Sequence, residues 1–401
     1  NDEEFQRLLR GYGPLSTIAG TGVSEDQNDW RPEFEGALAT TVELSNPHMS
    51  MADAAGNIFI ADKESHSILR VDPDGILTTF AGTHRADPSI EEGPATGVPL
   101  DSPNGLYVSP GGTVYILDLL NRRVCKVARD GFLTTVFRDP AGFGAGRGLW
   151  VSHEEDRIFY CAAGSVRIWT PSGGIETITS GLTDSGNLTV DPFGNLVVTD
   201  RGAHQVYRVA AGGERTVIAG SGDAGEGSSG VPATQCALEE VRGVAFFPNG
   251  AYLVASMKGG DIWYVDTEGI IHLFLVGSGS GNIHAGDGEP VNTPGNKISE
   301  PRAVTLTPYG DILITCNDTG FVRMVRKLRP LQLGQQMFPV PQGRVGLRWL
   351  AEPGQAYRIE SSATGVGWNF LGSVPGTPSG GRREWIDPRP ASGIRFYRLT
   401  Q

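Results

Sequence analysis

Three arginines and one histidine recur at a single point of a repeated sequence unit, and they are the residues best placed to do chemistry in this 401-residue chain. Aligning the units puts His48, Asn104, Arg147, Gly186, Arg242 and Arg302 at equivalent positions, each at the start of a strand-like run and usually just before Gly or Ala. Guanidinium forks gathered around one axis would form a local positive well, suited to carboxylate or phosphate oxygens. The competing use is internal. Glu239, Glu240 and Glu300 stand in the preceding loops and are candidate partners for the same arginines. The sequence leaves both uses open.

Metal chemistry fits less well. Catalytic zinc wants about three converging protein ligands and one open position, and among the histidines only His48 falls in the ring. His66 and His204 share the position four after Asp62 and Asp200, where Arg122 stands in another unit, so they read as part of the repeat. His84, His153 and His284 fall in loops or turns, and His272 in an outer strand. Gly222–Glu226 and Gly286–Glu289 offer carboxylates to calcium but lack the ligand count of an EF-hand loop. No nucleophile elbow, P-loop or Cys–His pair stands in a fitting context. No cofactor is expected. Cys125, Cys161, Cys236 and Cys316 lack metal-like spacing and read as packed thiols.

The elements that must position the ring are short strands. Gly13-Pro-Leu-Ser-Thr-Ile-Ala-Gly20 has close copies at 75–82, 131–137, 174–181, 213–220 and 269–277. Each later copy closes a unit of four β runs separated by Gly, Asn and Asp turns, with turn glycines at Gly56, Gly111, Gly194, Gly250 and Gly310 and Glu155-Asp156 in the third unit. The first copy has no unit before it, and the last unit, about Arg302 to Lys327, has no copy after it. A period near 40–60 residues with four strands per unit predicts a six-bladed β-propeller. Residues 13–20 are expected to complete the sixth blade, because an open terminal blade would expose unpaired backbone groups along its edge. Phe5, Leu8 and Leu9 predict a short helix over residues 1–12, capping the ring.

Gly56-Asn-Ile-Phe-Ile-Ala-Asp62 and Gly194-Asn-Leu-Val-Val-Thr-Asp200 resemble NHL-repeat propellers, as do the connectors Gly93–Pro103 and Val231–Leu238. The resemblance spans roughly 13–328 and is closest in blades 1, 2 and 4; Ala162, Ser256 and Cys316 replace the aspartate of the other blades. It implies a binding or structural propeller. It also carries the alternative of a metal-dependent lyase or hydrolase with a site near His48, since some relatives are metalloenzymes with axial histidines. Propeller lactonases would need acidic axial ligands, whereas this ring is arginine-rich.

Residues 329–401 change pattern and look like the small β-sandwich, Ig- or fibronectin-like, appended to many secreted bacterial proteins, following a 1–328 propeller domain. Below about 80 residues such a module is marginal alone, so it is expected to dock on the propeller. Trp349, Trp368 and Trp385 are either its core or a sugar-binding face. Net charge is −12, which argues against nucleic acid as a partner. Residues 330–401 hold eight Arg against four acidic residues, so the rest of the chain is strongly acidic. Acidic propeller and basic sandwich could stack head to tail into a homo-oligomer or filament. No apolar run is long enough to span a membrane, and a signal peptide is expected to have been removed. The reading is therefore a secreted, cell-surface or periplasmic binding module. Its partner would be another protein or an extracellular polymer, met on the loop face around the axial ring. Long connectors at 21–46, 83–103, 221–241 and 277–300, against short ones at 138–146 and 180–186, leave a notch in that rim over blade 3.

Overall fold

The computed structural model describes the chain except residues 1, 24–26, 88, 145, 259, 278–283, 318–319, 329–336, 341–343, 352–356, 363–368, 376–380, 390–395 and 401. The chain divides into two compact units, one of Asn1–Asp72 and Ile76–Lys327, the other containing Leu328–Gln401.

The first unit is a six-bladed propeller. Its inner strands are Pro47–Ala52, Pro103–Val108, Leu149–Val151, Ser185–Val190, Val241–Phe246 and Pro301–Leu306, each at one edge of its own antiparallel sheet. The second strands, such as Ile58–Asp62 and Tyr252–Ser256, are buried at every residue in five blades, and in blade 3 at all but Phe159. Period-2 alternation explains why they read as continuous apolar runs. In blade 5, Tyr252 and Val254 pack toward blade 4, while Leu253 and Ala255 pack toward blade 6. Each sheet is thus covered on both faces, and the core is six clusters set between successive blades.

Closure follows the expected route. Tyr12–Ala19 pairs antiparallel with Phe321–Lys327, with Leu15 opposite Val325 and Ala19 opposite Val322. Leu15 is fully buried, so this clasp is both a ladder and an apolar contact. The helix Asp2–Arg10 lies against blade 5: Phe5 stacks on His272 at 4.7 Å, and Glu4 accepts hydrogen bonds from Tyr264 and Thr267.

Two details depart from the sequence reading. The left-handed turn residue of blade 2 is Gly112, not Gly111, and Glu155 takes that conformation in blade 3. The connectors at 93–97 and 231–235 are not plain loops. Gly93–Pro94 and Val231–Pro232 each add a fifth strand to blades 2 and 5, and a single 3-10 turn then buries Ala95 or Ala233.

The second unit holds two three-stranded sheets: one of Met337–Val340, Arg344–Ala351 and Gly381–Ile386, the other of Tyr357–Ser362, Asn369–Val374 and Phe396–Thr400. Leu347, Trp349, Tyr357, Ile359 and Tyr397 share one apolar cluster, with Trp385 packed against it. Trp349 is therefore a core residue; Trp368 lies outside the described residues.

Candidate functional site

A repeated irregularity builds the site. In blade 2, Pro103 faces Asp118 and Gly105 faces Leu117, which leaves Asn104 as an extra residue. The same skip isolates His48 in blade 1, Arg242 in blade 5 and Arg302 in blade 6. A bulge bends the strand and re-aims its extra side chain, so each blade delivers one residue to the mouth of the axis. Arg147 stands just before the short inner strand of blade 3.

Two residues upstream the backbone turns left-handed at Asn46, Ser102, Glu240 and Glu300. That conformation costs roughly 1–2 kcal/mol in an L-residue, and neighbouring side chains hold it in place. His66 Nδ1 accepts the Ser102 N–H at 3.2 Å, and His204 Nδ1 accepts the Glu240 N–H at 3.2 Å. Asp118 accepts the Asp101 N–H at 2.7 Å, and Asp200 accepts those of Thr183 and Asp184 at 2.8 Å. Ser256, standing where other blades have aspartate, binds both N–H and C=O of Glu239. The repeat histidines and aspartates are thus scaffolding for the connector.

Glycine then allows close approach. A Cβ on Gly105 would sit 2.3 Å from the Arg147 carbonyl oxygen, and one on Gly243 would sit 2.7 Å from the Val304 nitrogen.

The ring residues converge electrostatically. Burial first, then the nearby Arg147 and Arg302 guanidiniums, holds His48 well below its usual 6.5. Burial, then Arg242 and Arg302, depresses Arg147 well below the usual arginine range. Burial, then Arg302 and Arg201, brings Arg242 down to about 9.

Carboxylates answer part of this charge. Glu240 lies 3.6 Å from Arg242 and 3.7 Å from Arg201, Glu300 lies 3.3 Å from Arg302, and Asp184 pairs with Arg201. Lys258 also reaches Glu240, at 3.8 Å. Glu239 pairs with none of the ring arginines among the described residues. Five cations therefore meet three carboxylates.

Arg147 is the residue left over. It is 7% exposed and makes no ion pair or side-chain hydrogen bond among the described residues, and its buried Nε lacks a partner. Arg242, 2% exposed, also has a buried Nε without a hydrogen-bond partner.

Blade 4 differs from the sequence alignment. Its bulge sets Gly186 and Asn187 together opposite Thr199, and Gly186 is lodged against blade 5: a Cβ would meet Thr199 Oγ1 of its own blade at 2.4 Å and the Arg242 carbonyl oxygen at 3.0 Å. Asn187, not Gly186, brings the functional group. Its Nδ2 reaches past blade 5 to donate to the Arg302 carbonyl at 3.2 Å, while its buried Oδ1 has no partner. The signal was the order Gly-Asn where blades 2, 3 and 5 read Asn-Gly or Arg-Gly. Along the same inner strands from all six blades runs a cavity of about 180 Å³, lined by Asn187 and by apolar groups such as Met49, Trp150 and Phe246.

Other histidines have structural partners. His84 stacks on Trp30 at 3.8 Å, and burial lowers it to about 4. His272 meets Asp266 at 3.1 Å. Asp287, proposed in a calcium run, pairs with Arg323 at 2.7 Å. Among the described residues no three His, Cys, Asp or Glu side chains gather as a metal site, and all four cysteines are buried.

No protein-family model matches the chain, and no curated protein matches it. Solved structures do resemble it. A Bacteroides thetaiotaomicron protein of unknown function shares 13% identity over 78% of this chain and 75% of its own, with a TM-score of 0.60. An auxiliary nutrient binding protein from Bacteroides ovatus shares 12% over 79% and 78%, with a TM-score of 0.59. A gluconolactonase from Xanthomonas campestris shares 14% over 80% and 92%, with a TM-score of 0.52. These place the chain in the class of six-bladed β-propellers. At such identities the likeness is one of fold alone.

Proposed function

We propose that this protein is a non-catalytic, NHL-type propeller, secreted or held at the cell surface, that binds an anionic group of its partner at the axial arginine cluster. The observation carrying this reading is Arg147: a buried guanidinium beside two others, whose Nε has no hydrogen-bond partner and which makes no ion pair among the described residues, Asp184 acting on it only at longer range. Burying an unpaired charge is costly unless something pairs it, and a ligand carboxylate or phosphate would do so. The nutrient-binding neighbours fit a surface or periplasmic role.

The gluconolactonase neighbour favours a second reading, metal-dependent hydrolysis near His48. A divalent ion needs oxygen or neutral nitrogen ligands with acidic charge to balance it. A ring with surplus cations does not fit that ion, so binding is the better-supported reading. Residues 329–401 are read as a small β-sandwich, supported by the apolar cluster that joins both sheets, and its surplus arginines support charge-driven self-association with the acidic propeller.

The test is thermal shift and ligand-observed NMR of the full chain with acetate, citrate and inorganic phosphate at low salt. Saturable binding that Arg147→Met and Arg242→Met remove is the expected result. A wild-type protein that ignores all three anions would overturn the reading. Light scattering across a salt series checks self-association, and a strict monomer at low salt ends it.

A further inference from the structure

The mouth of the axis is chemically two-sided. Blades 3, 5 and 6 supply cations: Arg147, Arg242 and Arg302. Blades 1, 2 and 4 supply neutral groups: His48, Asn104 and Asn187, all buried.

The neutral groups present acceptors. His48 Nδ1 lies 2.9 Å from the Asn46 carbonyl oxygen. A carbonyl only accepts, so Nδ1 carries the proton and Nε2 of the neutral ring is an acceptor. Asn187 donates its Nδ2 to the Arg302 carbonyl, which orients the amide, and its Oδ1 is buried without a partner. Asn104 Oδ1 is buried without a partner too. A simple anion would answer the guanidinium nitrogens and leave these acceptors unmet, and buried polar groups without partners are strongly disfavoured. A zwitterionic amino acid brings donors, but on an ammonium that meets a surplus of positive charge.

Taking the anion-binding reading as its basis, we propose that the axial ligand is a hydroxylated carboxylate of the uronic-acid class. Its carboxylate engages Arg147 and Arg242, and hydroxyls on the neighbouring carbons donate to Asn104, Asn187 and His48. This sorts the ring into a charge-reading half and a hydroxyl-reading half. It also suits a partner that is an acidic extracellular polysaccharide presenting such a sugar at a chain end.

The experiment compares D-glucuronate, D-galacturonate, acetate and inorganic phosphate by titration calorimetry on the full chain. Wild type is set against Asn104→Ala and Arg147→Met. A uronate is expected to bind at least about tenfold more tightly than acetate, the order of one or two net hydrogen bonds. Asn104→Ala should weaken the uronate by about tenfold and leave acetate unchanged, whereas Arg147→Met should weaken both. Asn104→Leu, near in shape and without an acceptor, serves if the alanine variant does not fold. Equal affinity for uronate and acetate, or an Asn104 effect of the same size on both, overturns the hydroxyl inference and leaves anion binding standing. Binding of phosphate alone has the same consequence. Silence toward every probe defeats both readings.

Discussion

Two buried arginines of this propeller should respond to the same substitution with opposite sign. Arg123 lies 2.7 Å from Asp118, both nearly inaccessible, and also donates to the carbonyl oxygens of Glu91 and Pro99. Replacing it with methionine strands the Asp118 carboxylate, and breaking a buried pair costs about 3–5 kcal/mol. Arg147 is as large and nearly as buried, but has no partner among the described residues to strand. Arg147→Met removes a desolvated charge and an unmet N–H and leaves a flexible apolar chain of similar length. Relief of one unmet buried donor is worth about 1–3 kcal/mol. With unfolding entropy near 2.1 cal/mol/K per residue, a unit of about 320 residues shifts by roughly 1.5 °C per kcal/mol. Arg147→Met should therefore raise Tm by about 2–4 °C, and Arg123→Met should lower it by about 4–7 °C. Differential scanning calorimetry without added anion reads both; added anion should narrow the Arg147 gain, because only the wild type binds it. A drop in Tm for Arg147→Met would show that the arginine is a structural strut and would remove the main support for a binding site.

Acid should act on the site through His48. Its folded pKa is depressed by burial and by Arg147, Arg302 and Lys63, so below about pH 6.5 the unfolded chain binds the proton more readily. Stability from keeping this ring neutral is present above that pH and is lost as pH falls, at up to about 1.4 kcal/mol per unit. Asp62, pushed up to about 7 by burial, works the other way, since the folded carboxyl keeps its proton where the unfolded one has lost it. The difference between wild type and His48→Asn isolates the histidine: urea midpoints from roughly pH 7 to pH 5 should fall faster for wild type, and parallel curves would refute the assignment. Gly105→Ala puts a Cβ 2.3 Å from the Arg147 carbonyl oxygen, a backbone atom that cannot step aside. It should cost about 1–3 kcal/mol or more and weaken anion binding by shifting Arg147. Gly75→Ala, left-handed but with nothing near its Cβ, should cost only the backbone strain, about 1–2 kcal/mol, and leave binding untouched.

The repeat itself was legible in the amino-acid order. Apolar runs buried on both faces, turns at matching intervals and an unpaired copy at residues 13–20 suffice to specify a closed ring, because strand pairing and period-2 burial are local rules. The equivalence of His48, Asn104, Arg147, Arg242 and Arg302 along the repeat was legible for the same reason: four of them are the extra residue of a recurring bulge near the start of an inner strand, and Arg147 stands two residues before one. Tertiary structure alone decided which of them is unanswered. Glu240 and Glu300 reach their arginines from left-handed turns that no propensity marks for glutamate, and Glu239, adjacent in sequence, pairs with none of the ring arginines among the described residues. It also decided that Asn187 takes the place in blade 4 that alignment gave to Gly186, since that depends on which of two bulged residues must lie against the next blade. Spacing along a chain sets where a side chain begins; burial and partners drawn from distant segments set the charge it carries and whether that charge is met.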